Sequence, residues 1–168
     1  MHNDFVIEED KYFEKRGNIY TIYNKDKVPH NLEFVQDKVS KSFQGVIRGF
    51  HGDDKTWKLM TCLTGKIKLV TYNIDTDEKK VYFLDGDDKN NTSILVPPRT
   101  LNAHMCLSST CIFHYKWSEF YTKPKEQWSV VYNDSTIKPE WDPHFHHIVS
   151  ERDFKSKTLE ELKRDVNS

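Results

Sequence analysis

A histidine followed by a lysine seven positions later is the pair of residues in this chain best suited to chemistry. His51 ends an apolar run and precedes Gly52, and Lys58 opens the next apolar segment. This pattern predicts an imidazole and an ammonium group on neighbouring strands, both pointing into one cavity. Such a pair can remove a proton next to a carbonyl, because the base takes the proton and the cation meets the charge that develops on the oxygen. Taken alone, His51 fits a structural role better than a catalytic one, so the hypothesis depends on matching residues elsewhere.

A carboxylate and a phenol further along the chain supply what this pair lacks. The segment Ser150-Glu151-Arg152-Asp153 supplies a carboxylate after the apolar pair Ile148-Val149, and Tyr115 lies in a strand-like segment. A histidine base usually needs a carboxylate that orients it and stabilises its charged form. A tyrosine on the other face of a planar enolate would return a proton to the side opposite the base. Together these residues predict inversion of a carbon centre next to a ketone.

Composition predicts one domain over residues 1–168. The chain is 36% hydrophobic and 13% aromatic, with a net charge of −1 and a pI of about 6.7, which argues against nucleic acid or an anionic membrane as a partner. Its three cysteines lack CxxC spacing, so we expect buried thiols in a reducing compartment. No apolar run approaches the ~18 residues that span a bilayer, and the N-terminus is polar, which predicts a cytoplasmic protein.

Short β-rich runs separated by turn residues predict an all-β sandwich or barrel. We expect a hairpin at Thr64-Gly65 and a single helix over 158–164, where a Thr-x-x-Glu pattern indicates a capping box. The predicted strands are 19–23, 32–35, 43–48, 57–63, 66–72, 80–84, 92–96, 111–117 and 130–132.

An ordered series of short segments resembles the dTDP-4-dehydrorhamnose 3,5-epimerase family over nearly the whole chain. The resemblance implies a cupin-like jelly-roll barrel with a short C-terminal helix. The matching segments are FEKRG at 13–17, FVQD at 34–37, VIRGFH at 46–51, KL at 58–59, VP at 96–97, AH at 103–104, YK at 115–116, ND at 133–134, Trp141 and SERD at 150–153.

The resemblance implies a role for each member of the predicted site. His51 matches the catalytic base, Asp153 its dyad partner, and Tyr115 the general acid that reprotonates from the other face. Lys58 matches the cation near the keto oxygen and its enolate. The substrate is then a nucleotide-diphosphate 4-keto sugar, with no cofactor.

Further positions match the family's substrate contacts. The N-terminal pair reaches the nucleotide of the neighbouring subunit in the family, so the resemblance also implies a homodimer. The matching residues are Arg48, His104, Gln36, Tyr121, Phe13 and Arg16.

A metal site is disfavoured. The histidines of segment 144–147 lie beside a turn, and we interpret them as surface residues. A metal-binding cupin should show His-x-His on one strand with a later Glu and His, whereas His51 stands alone in its segment.

The chain departs from the family pattern in places that bear on its substrate. Lys38 stands where the family has a neutral amide, and Trp57 where it has a small residue. Segments 48–53, 55–59 and 102–104 resemble a divergent branch that acts on GDP-4-keto heptoses. We therefore predict an epimerase acting at carbon 3, carbon 5 or both of a 4-keto-6-deoxy hexose or 4-keto heptose. The alternatives are a 3,4-ketoisomerase and a non-catalytic sugar-nucleotide-binding cupin.

Overall fold

Two antiparallel β-sheets face each other across the centre of the molecule. The computed structural model describes residues 3–121 and 123–168. The first sheet runs, in spatial order, β1 (Phe5–Asp10), β9 (Asn90–Val96), β6 (Lys58–Thr64), β11 (Thr110–Trp117) and β4 (Gln36–Phe43). The second runs β12 (Trp128–Ser129), β5 (Val46–Gly52), β10 (Thr100–Cys106), β7 (Lys66–Asn73) and β8 (Lys79–Asp85), with β13 (Ile148–Val149) parallel to β5. This arrangement confirms the predicted all-β class, and within the described ranges the ladders form separate sheets rather than one closed barrel.

A two-stranded ribbon and two α-helices lie outside the two sheets, along with short 3-10 turns. Strands β2 (Tyr12–Glu14) and β3 (Gly17–Ile19) form a separate ribbon, and helices α1 (Glu151–Lys155) and α2 (Leu159–Asn167) follow β13. None of the helices in the described ranges is long and apolar enough to cross a membrane.

The space between the sheets has an apolar end and a polar end. Alternate side chains of a strand point to the same face. The inward-pointing residues of one strand therefore follow one another along its length, and a long inner strand contributes residues to both ends. The apolar end, which we call the closed end, comprises Met60, Cys62, Ile67, Leu69, Leu84, Ile94, Val96, Cys106, Cys111 and Phe113. The other end, which we call the open end, forms a cavity and is described below.

The outer face of the second sheet is covered by the C-terminal part of the chain. Leu159 and Leu162 of α2 pack with Leu101 and Met105 of β10. The Thr158 hydroxyl accepts from the backbone of Glu161, and the Glu161 side chain accepts from the backbone of Thr158, which confirms the predicted capping box. Strand β10 is therefore covered by Leu159 and Leu162 on its outer face and by the first sheet on its inner face, and all of its side chains are buried.

Strand β5 contains a one-residue bulge opposite β10, and this bulge decides which side chains reach the cavity. Arg48 pairs with His104 and His51 pairs with Asn102, so three steps along β5 match two along β10. Residues three apart in a regular strand point to opposite faces, whereas the extra residue of a bulge returns them to one face. Gly49 lies in the bulge at a φ of +121°, and a Cβ there would lie 2.5 Å from the Asn102 carbonyl oxygen. The geometry therefore requires glycine at this position.

The predicted hairpin at Thr64-Gly65 is wrong. β6 belongs to the first sheet and β7 to the second, so Gly65 carries the chain from one sheet to the other. Its φ is +77°, and a Cβ would lie 2.2 Å from the Thr110 carbonyl oxygen. A turn signal shows where the chain bends, but it does not show which strands pair.

The remaining strand predictions divide into confirmed and wrong ones. Those at 57–63, 66–72, 80–84, 92–96 and 111–117 match β6, β7, β8, β9 and β11. Those at 19–23 and 32–35 are largely wrong, because Tyr23, Leu32 and Phe34 pack outside the first sheet as non-strand chain. The run 130–132 forms only an isolated bridge, between Val130 and Lys157. The prediction at 43–48 merged the end of β4 with the start of β5, and β1, β10 and α1 were missed.

Candidate active site

The open end is a cavity of about 620 Å³ between the two sheets, within the range of small-molecule sites. β5 and β10 supply one wall, and β4, β6 and β11 supply the other. Of the predicted site residues, those that line it are His51, Asp153, Lys58, Tyr115, Arg48 and Tyr121.

His51 and Asp153 form a tightly held pair in this cavity. The Nε2 atom of His51 lies 2.7 Å from Oδ1 of Asp153. The other carboxylate oxygen accepts from the backbone N–H of Gly49 at 3.1 Å, a donor that belongs to the β5 bulge. The Ser150 hydroxyl caps α1 by accepting from the Asp153 N–H, which fixes the start of the helix that carries the carboxylate. The pair is thus positioned by the bulge and by a helix cap.

The environment sets the charges of this pair. Burial lowers the pKa of His51, and its contact with Asp153 offsets only part of that effect. Burial also raises the pKa of Asp153, but the bonds from His51 and Gly49 outweigh it and hold that pKa below the usual value. At neutral pH the pair is therefore a neutral imidazole beside a carboxylate, which is the form in which a histidine can accept a proton.

Lys58 presents a buried cation to the cavity from the opposite wall. Its Nζ atom donates to Oδ1 of Asn102 at 3.1 Å and lies 4.9 Å from the ring centroid of Trp117. Burial lowers the pKa of Lys58 to about 8, with a smaller raising effect from Asp53. The ammonium group is therefore charged at neutral pH, and because Lys58 is 3% exposed, solvent screens its charge weakly.

Tyr115 and His104 face each other across the inter-sheet space. The Tyr115 hydroxyl lies 3.4 Å from Nδ1 of His104, and His104 is 1% exposed. Burial lowers the pKa of His104 to about 3, and burial raises the pKa of Tyr115 well above its usual value. His104 is therefore neutral and the phenol keeps its proton, as a general acid must.

Arg48 and Gln36 are held in different ways. The Arg48 Nε donates to the Ser42 hydroxyl at 3.0 Å, and its side chain lines the cavity. Gln36 does not line it. Instead, its Oε1 accepts from the backbone N–H of Tyr121 at 2.8 Å, which anchors the segment that carries that tyrosine.

Phe13 and Arg16 do not reach the cavity of their own chain. They lie on the exposed β2–β3 ribbon, where Phe13 is 52% exposed and Arg16 pairs with Glu14. The cavity-lining residues include no part of this ribbon.

Several further residues line the cavity without having been assigned a role from the sequence, and three of them contact one another. Asn102 holds Lys58, Trp117 offers its ring to that ammonium, and Lys38 extends over the same ring. Asn102 carried a usable signal, because it is the polar member of an otherwise apolar run beside His104. A buried amide in such a run needs a partner, and Lys58 is that partner.

Within the part of the chain that the structure describes, no group of three His, Cys, Asp or Glu side chains could hold a metal ion. His144 instead contacts Asp142 at the surface, with 2.8 Å between Nδ1 and Oδ1.

Sequence comparison places the chain among enzymes of known class. A family model described as dTDP-4-dehydrorhamnose 3,5-epimerase matches residues 1–161. The dTDP-4-dehydrorhamnose 3,5-epimerase of Escherichia coli K12 is 30% identical over 173 residues, covering 96% of this chain and 92% of the relative. The spore coat polysaccharide biosynthesis protein SpsL of Bacillus subtilis is 27% identical, covering 80% and 92%.

Solved structures agree. The dTDP-4-dehydrorhamnose 3,5-epimerase of Elizabethkingia anophelis matches with a TM-score of 0.81 and 28% identity, covering 96% of this chain and 93% of that one. A Legionella pneumophila epimerase in complex with dTDP-4-keto-L-rhamnose gives a TM-score of 0.87 at 24% identity, with 97% and 91% covered, and supports the fold.

Fold and sequence together define a carbohydrate epimerase with a cupin-like jelly roll, an enzyme of the isomerase class. The chain belongs to the dTDP-4-dehydrorhamnose 3,5-epimerase family.

Proposed function

We propose that this enzyme epimerises a nucleotide-linked 4-keto sugar through an enolate, without a cofactor. The observation that carries the proposal is the placement of His51, bound to Asp153, on one wall of a cavity whose other wall presents Tyr115 and Lys58. A base and an acid on facing sheets can address the two sides of a flat intermediate held between them.

The first step is removal of the proton on the carbon next to the ketone. His51 is neutral because burial depresses its pKa, so one ring nitrogen is free to accept that proton while the other remains bound to Asp153. As the imidazole becomes charged, the adjacent carboxylate stabilises it.

The electron pair of the broken C–H bond then delocalises onto the ketone oxygen, which carries the negative charge of the enolate. Lys58 faces the cavity beside Asn102, and Asn102 is the cross-strand neighbour of His51. A ketone oxygen bound to the Lys58 ammonium group would therefore lie near the carbon from which His51 removes the proton. Stabilising charge in such a desolvated site is usually the largest contribution to catalysis.

Inversion requires that a proton return to the opposite side of the enolate. Tyr115 reaches the cavity from β11 on the facing sheet and remains protonated, because burial raises its pKa. His104 is neutral and contacts the phenol, so it can hold the Tyr115 hydroxyl in place. We assign Tyr115 as the acid and His104 as a residue that positions it.

Incubation with a 4-keto nucleotide sugar in heavy water, followed by proton NMR, tests the proposal. We expect deuterium to enter next to the ketone, with inversion at carbon 3, carbon 5 or both. A moved carbonyl would identify a 3,4-ketoisomerase, and binding without exchange would identify a non-catalytic cupin.

Replacement of the acid separates the two half-reactions. Tyr115→Phe should retain exchange at the carbon next to the ketone and slow inversion by about 10²-fold or more. Normal inversion by this variant would show that another group is the acid.

We further propose a GDP-4-keto heptose as one substrate to be compared with dTDP-4-keto-6-deoxy hexoses. Segments 48–53, 55–59 and 102–104 support it by their resemblance to the heptose branch, whereas the Escherichia coli relative named above is a dTDP-4-dehydrorhamnose 3,5-epimerase. Thermal-shift measurements with dTDP, GDP, CDP and UDP would identify the base, since only the bound diphosphate raises the melting temperature. A shift with dTDP alone would rule out the heptose branch.

We propose a homodimer in which the β2–β3 ribbon completes the neighbouring site. Its support is the exposure of Tyr12, Phe13 and Ile19, which are 68%, 52% and 71% exposed. Coexpression of His51→Asn with Arg16→Ala tests it, because only a dimer with shared sites can rebuild one intact site from two impaired chains. A fully active monomer by light scattering would contradict the proposal.

A cytoplasmic location is the final part of this proposal. It rests on three free, buried thiols, Cys62, Cys106 and Cys111, which fit a reducing compartment. Cell fractionation would test it, and recovery of the enzyme outside the cytoplasm would overturn it.

A further inference from the structure

Lys38 is a cation in the cavity that the proposed reaction does not use. It lies on the inner face of β4, opposite Tyr115 in the strand register, and lines the cavity. Its Nζ atom lies 3.5 Å from the ring centroid of Tyr121 and 5.1 Å from that of Trp117. Among residues 3–121 and 123–168, no carboxylate lies within ion-pair distance of it. The ammonium group is therefore held by aromatic faces alone.

The lysine on the other side of the same two strands is held differently. Lys116 of β11 bonds its strand neighbour Asp37 of β4 at 2.8 Å. The strands thus neutralise their outer lysine and leave the inner one without a counter-charge. Burial also lowers the pKa of Lys38, which means that its charged form is less favourable here than in water. A bound anion would stabilise that charged form.

A second lysine narrows the identity of that anion. Lys38 and Lys58 both lie over the Trp117 ring, and the Lys38 ammonium group helps to lower the pKa of Lys58. Lys58 is 3% exposed and bonded to Asn102, which suits the innermost group of the ligand. Lys38 is only half-buried, on the edge strand β4, so it meets a part of the ligand nearer to solvent.

The carboxylate of Asp153 does not neutralise this region, because it is occupied by His51 and Gly49. Arg48 is directed towards Ser42. In a sugar nucleotide, the anionic group next to the sugar on the solvent side is the diphosphate. We propose that Lys38 binds the diphosphate of the substrate and sets the affinity for it, an inference that rests on the proposed function.

Binding measurements without turnover test this role. Calorimetric titration with dTDP and GDP should show that Lys38→Met binds the preferred diphosphate about 10- to 100-fold more weakly, as expected for loss of a hydrogen bond to a charged group. Binding should fall less steeply with salt in the variant, because one charge contact is gone. Lys38→Arg should restore most of the affinity.

Two controls make the outcome specific. Lys116→Met removes the paired lysine from the outer face and should leave diphosphate affinity unchanged. In turnover assays, Lys38→Met should raise KM and leave kcat within about threefold. A fall in kcat with normal diphosphate affinity would place Lys38 at the enolate oxygen and overturn the proposal, as would a wild-type enzyme that binds none of dTDP, GDP, CDP and UDP.

Failure of the proposed epimerisation would look different. In that case the wild-type enzyme would bind the diphosphate through Lys38 and show no exchange or inversion with the 4-keto sugar.

Discussion

The closed and open ends of the inter-sheet space are built by the same strands and serve opposite purposes. β6 contributes Met60 and Cys62 to the closed end and Lys58 to the open end, and β11 contributes Phe113 to one and Tyr115 to the other. The difference arises from a change of residue type along one face, without a change of backbone direction. A single pair of sheets can therefore carry both the stabilising core and the reactive site.

The two ends also differ in how well their polar atoms are paired. At the closed end, Cys62 and Cys106 donate to backbone carbonyls. At the open end, Nε2 of His104 and Nε1 of Trp117 are buried without a partner. A ligand or solvent in the cavity can pair such atoms, whereas the polar atoms of the closed end are paired within the protein itself.

The largest effect should follow from replacing the base at the open end. His51→Asn should reduce turnover and solvent exchange by about 10²–10⁴-fold, because an amide cannot accept the substrate proton. Asparagine can still donate to Asp153, so the melting temperature should change little. Exchange at the wild-type rate would show that His51 is not the base.

A substitution at the closed end should instead reduce the stability of the protein and leave its turnover unchanged. Ile94 on β9 is fully buried, and Ile94→Ala should reduce the free energy of unfolding by about 2–5 kcal/mol. Turnover per folded molecule should stay close to wild type, as measured below the melting temperature. If kcat instead falls tenfold or more, the two ends are energetically coupled.

A pH profile probes the charges at the open end. The pKa of His51 is lowered below its ordinary 6.5, so kcat/KM should fall, by about tenfold per pH unit, only below that lowered value. The pKa of Lys58 is lowered to about 8, so activity should fall again as the ammonium loses its proton above that pH. Lys58→Arg should move or remove the alkaline limb, and an unchanged limb would assign it to another group.

The smallest effect should come from the outer face. Asp37 bonds Lys116 at 2.8 Å but is 54% exposed. Exposed ion pairs contribute about 0–1 kcal/mol, so Asp37→Asn should lower the free energy of unfolding by no more than that and leave turnover unchanged. A larger loss in denaturant unfolding would mean that outer pairing supports the cavity.

The sequence predicted the parts of the fold that depend on local pattern. Regular alternation correctly indicated β6 and β7, and the Thr158 capping box correctly indicated α2. The hairpin at Thr64-Gly65 was wrong because pairing partners are chosen by the whole core and not by the turn. α1 was missed because a five-residue helix has too little periodicity to be recognised.

The sequence also identified several of the residues that line the cavity. His51, Lys58 and Tyr115 lie around one space as expected. The common direction of Arg48 and His51 was not predictable from alternation, since it depends on the β5 bulge. Asn102 was overlooked because its importance lies in a contact with a strand 44 positions away.

The bulge at Gly49 has a consequence for how this enzyme can diverge. Removing a single residue between Arg48 and His51 would rotate the imidazole out of the cavity, although every side chain named above would still be present. Homologues that lack one position in this segment should therefore be inactive or rebuilt, so alignment length there is a better guide to activity than percentage identity.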